Sequence, residues 1–367
     1  MDLLKEELKI KHDKVKVFIK SNNLEGVILS KLKNFAWYTG GKDVHGSIMS
    51  DEGLASLFVT EDKTYLVCNN VEKQRMINEI INDTDIEIIY YNWYESDLLS
   101  TILKIKPNTK LASDSIIPGT KSLNPDFEKL KCSLSQNEIE RYRWLGREGA
   151  TCLEEVAKSI KVGDTDWSME AKLKEKVSEK GMTPVVIMAG TDKRVLDYRH
   201  PIAIGKKVEE YAMLVLMAMK WGLMIAATRI VSLKPLSEEI KRRHDSSMKV
   251  DAVLILNTKP GAKAGDVLKK GIEAYESEGF KDEWKEHFQG GPTGYNIRDY
   301  FVNPDTEEII QENQPFAWNP SIKGTKSEDT VLVSSSGNEI ITYTGNWPTK
   351  IIKIDGKEIK RHEILVK

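Results

Sequence analysis

Cysteine is scarce in this 367-residue chain: there are three, Cys68, Cys132 and Cys152, and they are widely spaced. That excludes a disulfide framework and any CxxC-type zinc or redox motif, and it suits a reducing compartment, so a cytoplasmic location is expected. Histidine is nearly as rare, with six residues. No charge of one sign dominates. The 54 basic and 56 acidic residues leave a formal net charge of -2, so no global field favours nucleic acid or an anionic membrane as partner. Long apolar runs are missing too. The most apolar, Tyr211 to Met219, is strand-length and ends at Lys220, well short of the roughly eighteen residues that a membrane span needs. The N-terminus MDLLKEELKIKHDKVKVFIK alternates charged and apolar residues at helical spacing without an apolar signal core, so a surface helix is expected there.

What is present points to two domains, given about 150 residues per domain as a prior. Short apolar runs, GVILS from Gly26, Leu57 to Thr60 and Tyr65 to Cys68, alternate with helical stretches up to about Leu130. This is the pattern of a small α/β layer domain. A stretch rich in Pro, Gly, Asn and Ser between Lys106 and Asp126, KPNTK and then PGTKSLNPD, comes just before the boundary, as such breakers do. The domains are therefore expected at 1–130 and 131–367.

The second part repeats itself. A helix starts at Ser135 or Asn137, where SQNE supplies a cap, and Ile139, Leu145, Leu153 and Val156 keep an apolar stripe. Gly163 and Gly181 then enclose a second helix, SMEAKLKEKVSEKG. Gly261 and Gly279 enclose another, AGDVLKKGIEAYESEG, after a long helix from Leu236 to Asn257. Both glycine pairs are 18 apart, and the second copy lies 98 residues after the first. A strand-rich segment follows each. Helix, turn, helix and strands, done twice, implies a pseudo-two-fold domain with helices packed on a curved antiparallel sheet.

With that repeat, the stretch from about Ser135 to Thr342 resembles the pita-bread domain of the methionine aminopeptidase, prolidase and creatinase superfamily. SEDTVLV with the following GNEIIT, and Thr228-Arg229 after an antiparallel hairpin, are similar to that family's motifs. The first part looks like the N-terminal domain of the prolidase, aminopeptidase P and creatinase branch, where NFAWYTGG (Asn34 to Gly41) resembles an Asn-x-x-Tyr-x-Thr-Gly stretch. The fold expected from the resemblance is α/β (α+β), a creatinase-like N-terminal domain followed by a pita-bread domain.

The resemblance implies two divalent metals held by two Asp, one His and two Glu, which activate a water for attack on an amide. This sequence departs from that set. Ala218, at the end of LVLM, stands at the first Asp position and Ala226 at the second; Gly291 replaces the His, Asn319 replaces one Glu, and only Glu328 remains. One carboxylate cannot neutralise two divalent cations, so no metal and no other cofactor is expected. The hairpin between the two lost aspartates also looks about three residues short by the same comparison.

The candidate catalytic residues are then His200, in DYRHP, and Glu328. His200 falls where creatinase, a metal-free relative, is implied to place its acid/base histidine, and Asp197 or Glu328 is available to tune it. The plainer reading of His200 is a strand cap before Pro201. That of Glu328 is a salt bridge to Arg229 or Lys326. Asn319, Tyr295, Trp318, His287 and Arg229 are candidate substrate-binding residues. Asn319, Trp318 and Trp221 suggest a neutral, aromatic-lined pocket for an amide or guanidinium, although large aromatics usually belong to the core.

Other motifs carry less. HFQGGPTGY fails the GxGxxG spacing, and GTKS at Gly324 lacks the Gly-Lys pair of a phosphate loop. There is no GxSxG elbow and no HExxH helix. Ser30 with Lys33 reads as a helix start, Cys152 as core, and KRRH at Lys241 to His244 as a solvated helix face.

The expected function is a metal-independent homologue of Xaa-Pro peptidases and creatinase that binds a small amide, guanidino or peptide-like substrate; whether it also hydrolyses it stays open, and if it does, the bond cleaved is C–N. The alternatives are a non-catalytic peptide- or protein-binding relative, and an active Xaa-Pro dipeptidase whose ligands lie elsewhere in the chain. A small-molecule or peptide ligand is the expected partner, with no nucleic acid and no membrane. The resemblance further implies a homodimer in which Trp37 or Tyr38 reaches the partner's cleft.

Overall fold

The run GVILS forms the strand Gly26–Lys31, and its Val27, Ile28 and Leu29 are all fully buried, as a strand covered on both faces requires. It lies inside a six-stranded sheet of spatial order Glu87–Tyr91, Thr64–Asn69, Glu52–Val59, Gly26–Lys31, Leu111–Ser113, Lys121–Ser122. The computed structural model describes residues 3–107 and 109–367. Met1 and Asp2 of the expected N-terminal helix, and Asn108 of KPNTK, lie outside the described residues.

The chain divides into two compact units. Unit 1 is Met1–Lys131, Ser135–Glu138 and Trp221–Leu223; unit 2 is Cys132–Leu134, Ile139–Lys220 and Met224–Lys367. Within unit 1 the helix Leu3–Ser21 is present, but it is not the surface helix that its charges suggest. Glu7, Lys11, Val15, Phe18 and Ile19 form a buried stripe at helical spacing. Lys11 Nζ lies 2.5 Å from Glu7 Oε1 and 2.9 Å from Glu138 Oε1, so the buried cation is matched by two carboxylates, which is what lets it leave water.

NFAWYTGG forms the short helix Leu32–Tyr38, closed by Gly40 and Gly41 at φ +72° and +101°, a region open to glycine without strain. Trp37 and Tyr38 do not reach outward as expected for a partner's cleft. They are 1% and 3% exposed, and the Tyr38 hydroxyl is 2.6 Å from Thr64 Oγ1 within the same unit. Both rings are needed by the unit's own core.

Unit 2 carries the repeat. The helices Gln136–Ser159 and Asp166–Glu179 precede the strands Thr183–Thr191, Tyr211–Lys220 and Leu223–Ser232; the helices Glu238–Asn257 and Ala264–Ser277 precede Gly290–Pro292, Pro315–Trp318, Asp329–Leu332 and Glu339–Ile340. Each strand set forms a four-stranded sheet, the first completed by Leu365–Val366. That last strand pairs in parallel with Leu223–Ser232, so the first sheet is not purely antiparallel. The equivalence of the copies is visible in the backbone: Gly163, Gly181, Gly261 and Gly279 take φ of +90°, +64°, +85° and +83°. The same left-handed turn is demanded at each matched position.

Candidate functional site

The central strand pair of unit 2's second sheet, continued by the two-stranded hairpin Ser321–Ile322 and Thr325–Lys326, sets the site. Pro315 pairs with Leu332, Trp318 with Asp329, Ser321 with Lys326 and Ile322 with Thr325. Between them the Ser327 N–H donates to Pro320 O at 3.0 Å, so the ladder keeps one register throughout. Alternation then separates two faces. Phe316, Trp318 and Val331 pack into the core with Leu254, Val267, Leu268 and Tyr275 of the helices. The opposite face presents Ala317 and Thr330, then Ser321 and Lys326, as cross-strand pairs, and the common register sets Asn319 and Glu328 between them.

Glu328 is the centre of this second face. It is buried, with Lys326 Nζ 2.7 Å from Oε2 and Arg298 Nη2 3.8 Å from Oε1. Thr228 Oγ1 donates to Oε2 at 2.5 Å. Burial alone pushes the carboxyl up. Lys326, Arg298 and the Thr228 hydroxyl outweigh it and hold Glu328 below the ordinary glutamate range, so it stays ionised at neutral pH. Asn319 is 3% exposed, and among the described residues its Oδ1 has no hydrogen-bond partner, nor has the buried Arg298 Nε.

Beside Lys326, the Ser321 hydroxyl lies 3.0 Å from His287 Nδ1, and His287 Nε2 lies 3.1 Å from His200 Nε2. His287 is buried while His200 is exposed. Burial, then the positive charge of Lys326, holds the His287 imidazole far below its ordinary range. His200 moves the same way, by burial and Lys326 against the opposing pull of Glu328. Both rings are neutral at pH 7. Phe288 packs 5.6 Å from His200 and 5.0 Å from Phe301, centroid to centroid. Asp197 is engaged by Lys193.

Other candidates sit elsewhere. Arg229 follows Thr228 and therefore faces the other way. It is fully buried, bonding Glu154 Oε1 at 3.1 Å, Asp329 Oδ1 at 3.1 Å and Thr342 O at 3.1 Å. It makes no pair with Glu328; Lys326 does. Trp318 belongs to the helix-side core, where Nε1 donates to Thr258 Oγ1 at 2.8 Å, so it does not line a pocket with Asn319. Trp221 is the first turn residue between the strands Tyr211–Lys220 and Leu223–Ser232, at φ +56°. Tyr295 is buried, 2% exposed. His244 is not on the solvated face of its helix. It is buried, with Nδ1 2.6 Å from Thr325 Oγ1 and Nε2 3.0 Å from His362 O.

Ala218 needs a correction of face. A Cβ placed on Gly149 meets Ile225 Cδ1 at 3.0 Å and Ala218 Cβ at 3.9 Å, so Ala218 looks at the helix Gln136–Ser159. The residue that clusters with Ala226 and Ala317, with Val185 and Val186 packed against them, is Met217. A sequence count across a shortened hairpin slips by one, and on a strand one residue is the other face. Among the described residues no three His, Cys, Asp or Glu side chains are gathered in a way that holds a metal ion.

The family model for metallopeptidase family M24 matches residues 140–335. The chain belongs to family M24. Across 372 aligned residues it is 21% identical to an Xaa-Pro dipeptidase of Pyrococcus horikoshii, covering 94% of this chain and 99% of that protein. An Xaa-Pro dipeptidase from Bacillus anthracis superposes with a TM-score of 0.78 at 14% identity, covering 98% of this chain and 100% of that one. The N-terminal domain of the FACT complex subunit SPT16 from chickpea superposes with a TM-score of 0.68 at 12% identity, covering 92% of this chain and 97% of that one. The pita-bread fold of family M24, with its N-terminal domain, is thus the fold of this protein. Lys326, Ser321 and Arg298 are the site residues that sequence reasoning passed over as ligand-facing groups. The first two were legible from strand alternation with Glu328 and Asn319, whereas nothing local marks Arg298.

Proposed function

We propose that this M24 protein works without the family's dinuclear centre and binds a small amide or peptide-like molecule on the Glu328 face of unit 2. The observation that carries the reading is the Lys326 ammonium, 2.7 Å from Glu328 Oε2. A fixed cation neutralises the carboxylate from within the chain. The surrounding donors do not fit two divalent ions: Met217 and Ala226 carry no hard oxygen, Asn319 offers a neutral amide, and Gly291 offers nothing. A positive ammonium at the carboxylate also repels an incoming metal. The same charge disfavours a guanidinium ligand and favours neutral or anionic groups.

In this reading His200 is the acid/base residue, positioned by its 3.1 Å contact with His287 Nε2. The Ser321 hydroxyl lies 3.0 Å from His287 Nδ1, so one hydrogen-bonded chain runs from Ser321 through His287 to His200. An imidazole positioned by its neighbour in this way exchanges a proton with a ligand at neutral pH. Glu328, held ionised, orients the Thr228 hydroxyl and the Lys326 ammonium.

A second reading is a binding protein without chemistry. It is favoured by the likeness to a domain of a FACT complex subunit and by the same ion pair. Metal analysis of protein grown with Mn, Co and Zn, together with assays on Xaa-Pro dipeptides, tests the shared part. Far less than one metal per chain and no Xaa-Pro cleavage are expected; two metals per chain with cleavage overturn both readings. His200→Ala separates the two. Loss of hydrolysis supports the enzyme, and unchanged ligand affinity with no turnover in either protein supports the binding protein.

A further inference from the structure

Hydrogen-bond donors and acceptors around Glu328 do not balance. Lys326 has three N–H donors and one carboxylate oxygen within reach. Arg298 donates from Nη1 to Ile297 O at 2.7 Å, its approach to Glu328 at 3.8 Å is too long for a hydrogen bond, and its Nε has no partner. Asp299, next in the chain, is engaged by Asn296 Nδ2 at 2.9 Å. Against this surplus of cationic donors stands one orphaned acceptor, Asn319 Oδ1, on the residue that the ladder sets opposite Glu328. Buried polar groups left unmatched in this way are costly unless a ligand or water completes them. On the same face, Met217, Ala226 and Ala317 form a buried cluster with Val185 and Val186 packed against them.

We infer that this face receives a small carboxylate with an N–H donor beside it. The carboxylate meets Lys326 and Arg298, and the N–H meets Asn319 Oδ1. This is the chemistry of an N-acyl amino acid, or of the last residue of a peptide, and the N–H requirement excludes proline at that position. The inference rests on the metal-free reading above and adds the charge and the donor pattern of the ligand. Charge-assisted bonds to a carboxylate are the strong component. The amide contact supplies discrimination, because a partner lacking the N–H leaves Asn319 as unmatched as it is now.

Calorimetry on protein kept in EDTA tests this with N-acetyl-L-leucine, N-acetyl-L-leucinamide and N-acetyl-L-proline. The first is expected to bind at least about tenfold more tightly than the other two, the size of one lost hydrogen bond to a charged or buried group. Equal binding of acid and amide, or no binding of any of the three, overturns the inference. Lys326→Met is expected to abolish the preference for the acid. Because that variant also strands Glu328, Asn319→Leu provides the second test: the ion pair stays intact and the leucine and proline acids should bind alike. A preference that survives Asn319→Leu overturns the N–H contact. A short peptide ending in leucine, free or amidated, identifies the source. Tight binding of the free-acid peptide assigns a chain end, and binding of the N-acetyl acid alone assigns a free small molecule. Metal content is measured separately, so a failure here leaves the metal result standing.

Discussion

Lys326 Nζ and Glu328 Oε2 lie 2.7 Å apart, both buried, two residues apart on one face of a strand pair. The next residue, Asp329, faces the other way and belongs to a second buried network with Arg229, Arg361 and His362. Two adjacent carboxylates thus serve opposite sides of one sheet. One faces the candidate site and the other holds the sheet to what lies behind it.

The first pair is coupled, and a double-mutant cycle should show it. Lys326→Met leaves an ionised, desolvated carboxylate and is expected to cost about 3–5 kcal/mol of unfolding free energy. Adding Glu328→Gln to that variant should recover a large part of the loss. Urea denaturation of the four proteins measures the coupling, and simple additivity would contradict the pairing.

Arg229 answers to the other side of the sheet. Its guanidinium bonds Glu154 and Asp329, all three residues being nearly inaccessible. Arg229→Met should therefore destabilise by about 3–5 kcal/mol, while ligand affinity per folded molecule stays unchanged. A selective loss of affinity at unaltered stability would move Arg229 into the site.

The pH dependence of stability follows from His244 and His362. Burial is the main cause pulling each from 6.5 to about 4 in the folded state. A depressed histidine binds fewer protons when folded than unfolded between those values, so stability is present above about 6.5 and is lost as pH falls through about 4. Each contributes on the order of 3 kcal/mol across that window. Asp251 opposes them. Burial raises it from 3.8 to about 7, so its contribution is present at low pH and is lost as pH rises through about 7. Asp251→Asn should consequently steepen the loss of stability on acidification, and His244→Gln should flatten it. Denaturation midpoints between those limits decide the matter.

Restoring the family histidine should not restore a metal site. A Cβ on Gly291 meets Tyr300 O and Val302 Cγ2 at 3.0 Å each, at a φ of +151°. Gly291→His is expected to lower stability by about 1–3 kcal/mol through backbone strain and to bind no metal. Elemental analysis of the purified variant, with its melting temperature, checks both halves.

Much of the fold was legible. The two glycine pairs located the helices Asp166–Glu179 and Ala264–Ser277 to within about two residues, the usual uncertainty of helix ends, because each left-handed turn admits few residues other than glycine. The Leu3–Ser21 helix was legible as a helix but not in its burial. Lys11 reads as a solvent residue until Glu7 and Glu138 are seen beside it. In the site, His200 and His287 were named from scarcity and position, yet their pairing was invisible, since 87 residues separate them. Ala218 was placed one residue off because register across a hairpin depends on where the turn falls, and Trp221-Gly222 makes it a tight one.

By itself the sequence determined the two-part organisation and the repeat, since composition, period and spacing are local properties of a chain. Tertiary structure alone decided which charges meet. Thr228 bonds Glu328 while Arg229 bonds Asp329, although each pair is contiguous in sequence, because a strand turns successive side chains to opposite faces. Only pairing across 100 residues then brings each its partner. Cysteine scarcity and charge balance narrowed the chemistry. Strand register decided that an ammonium stands at Glu328.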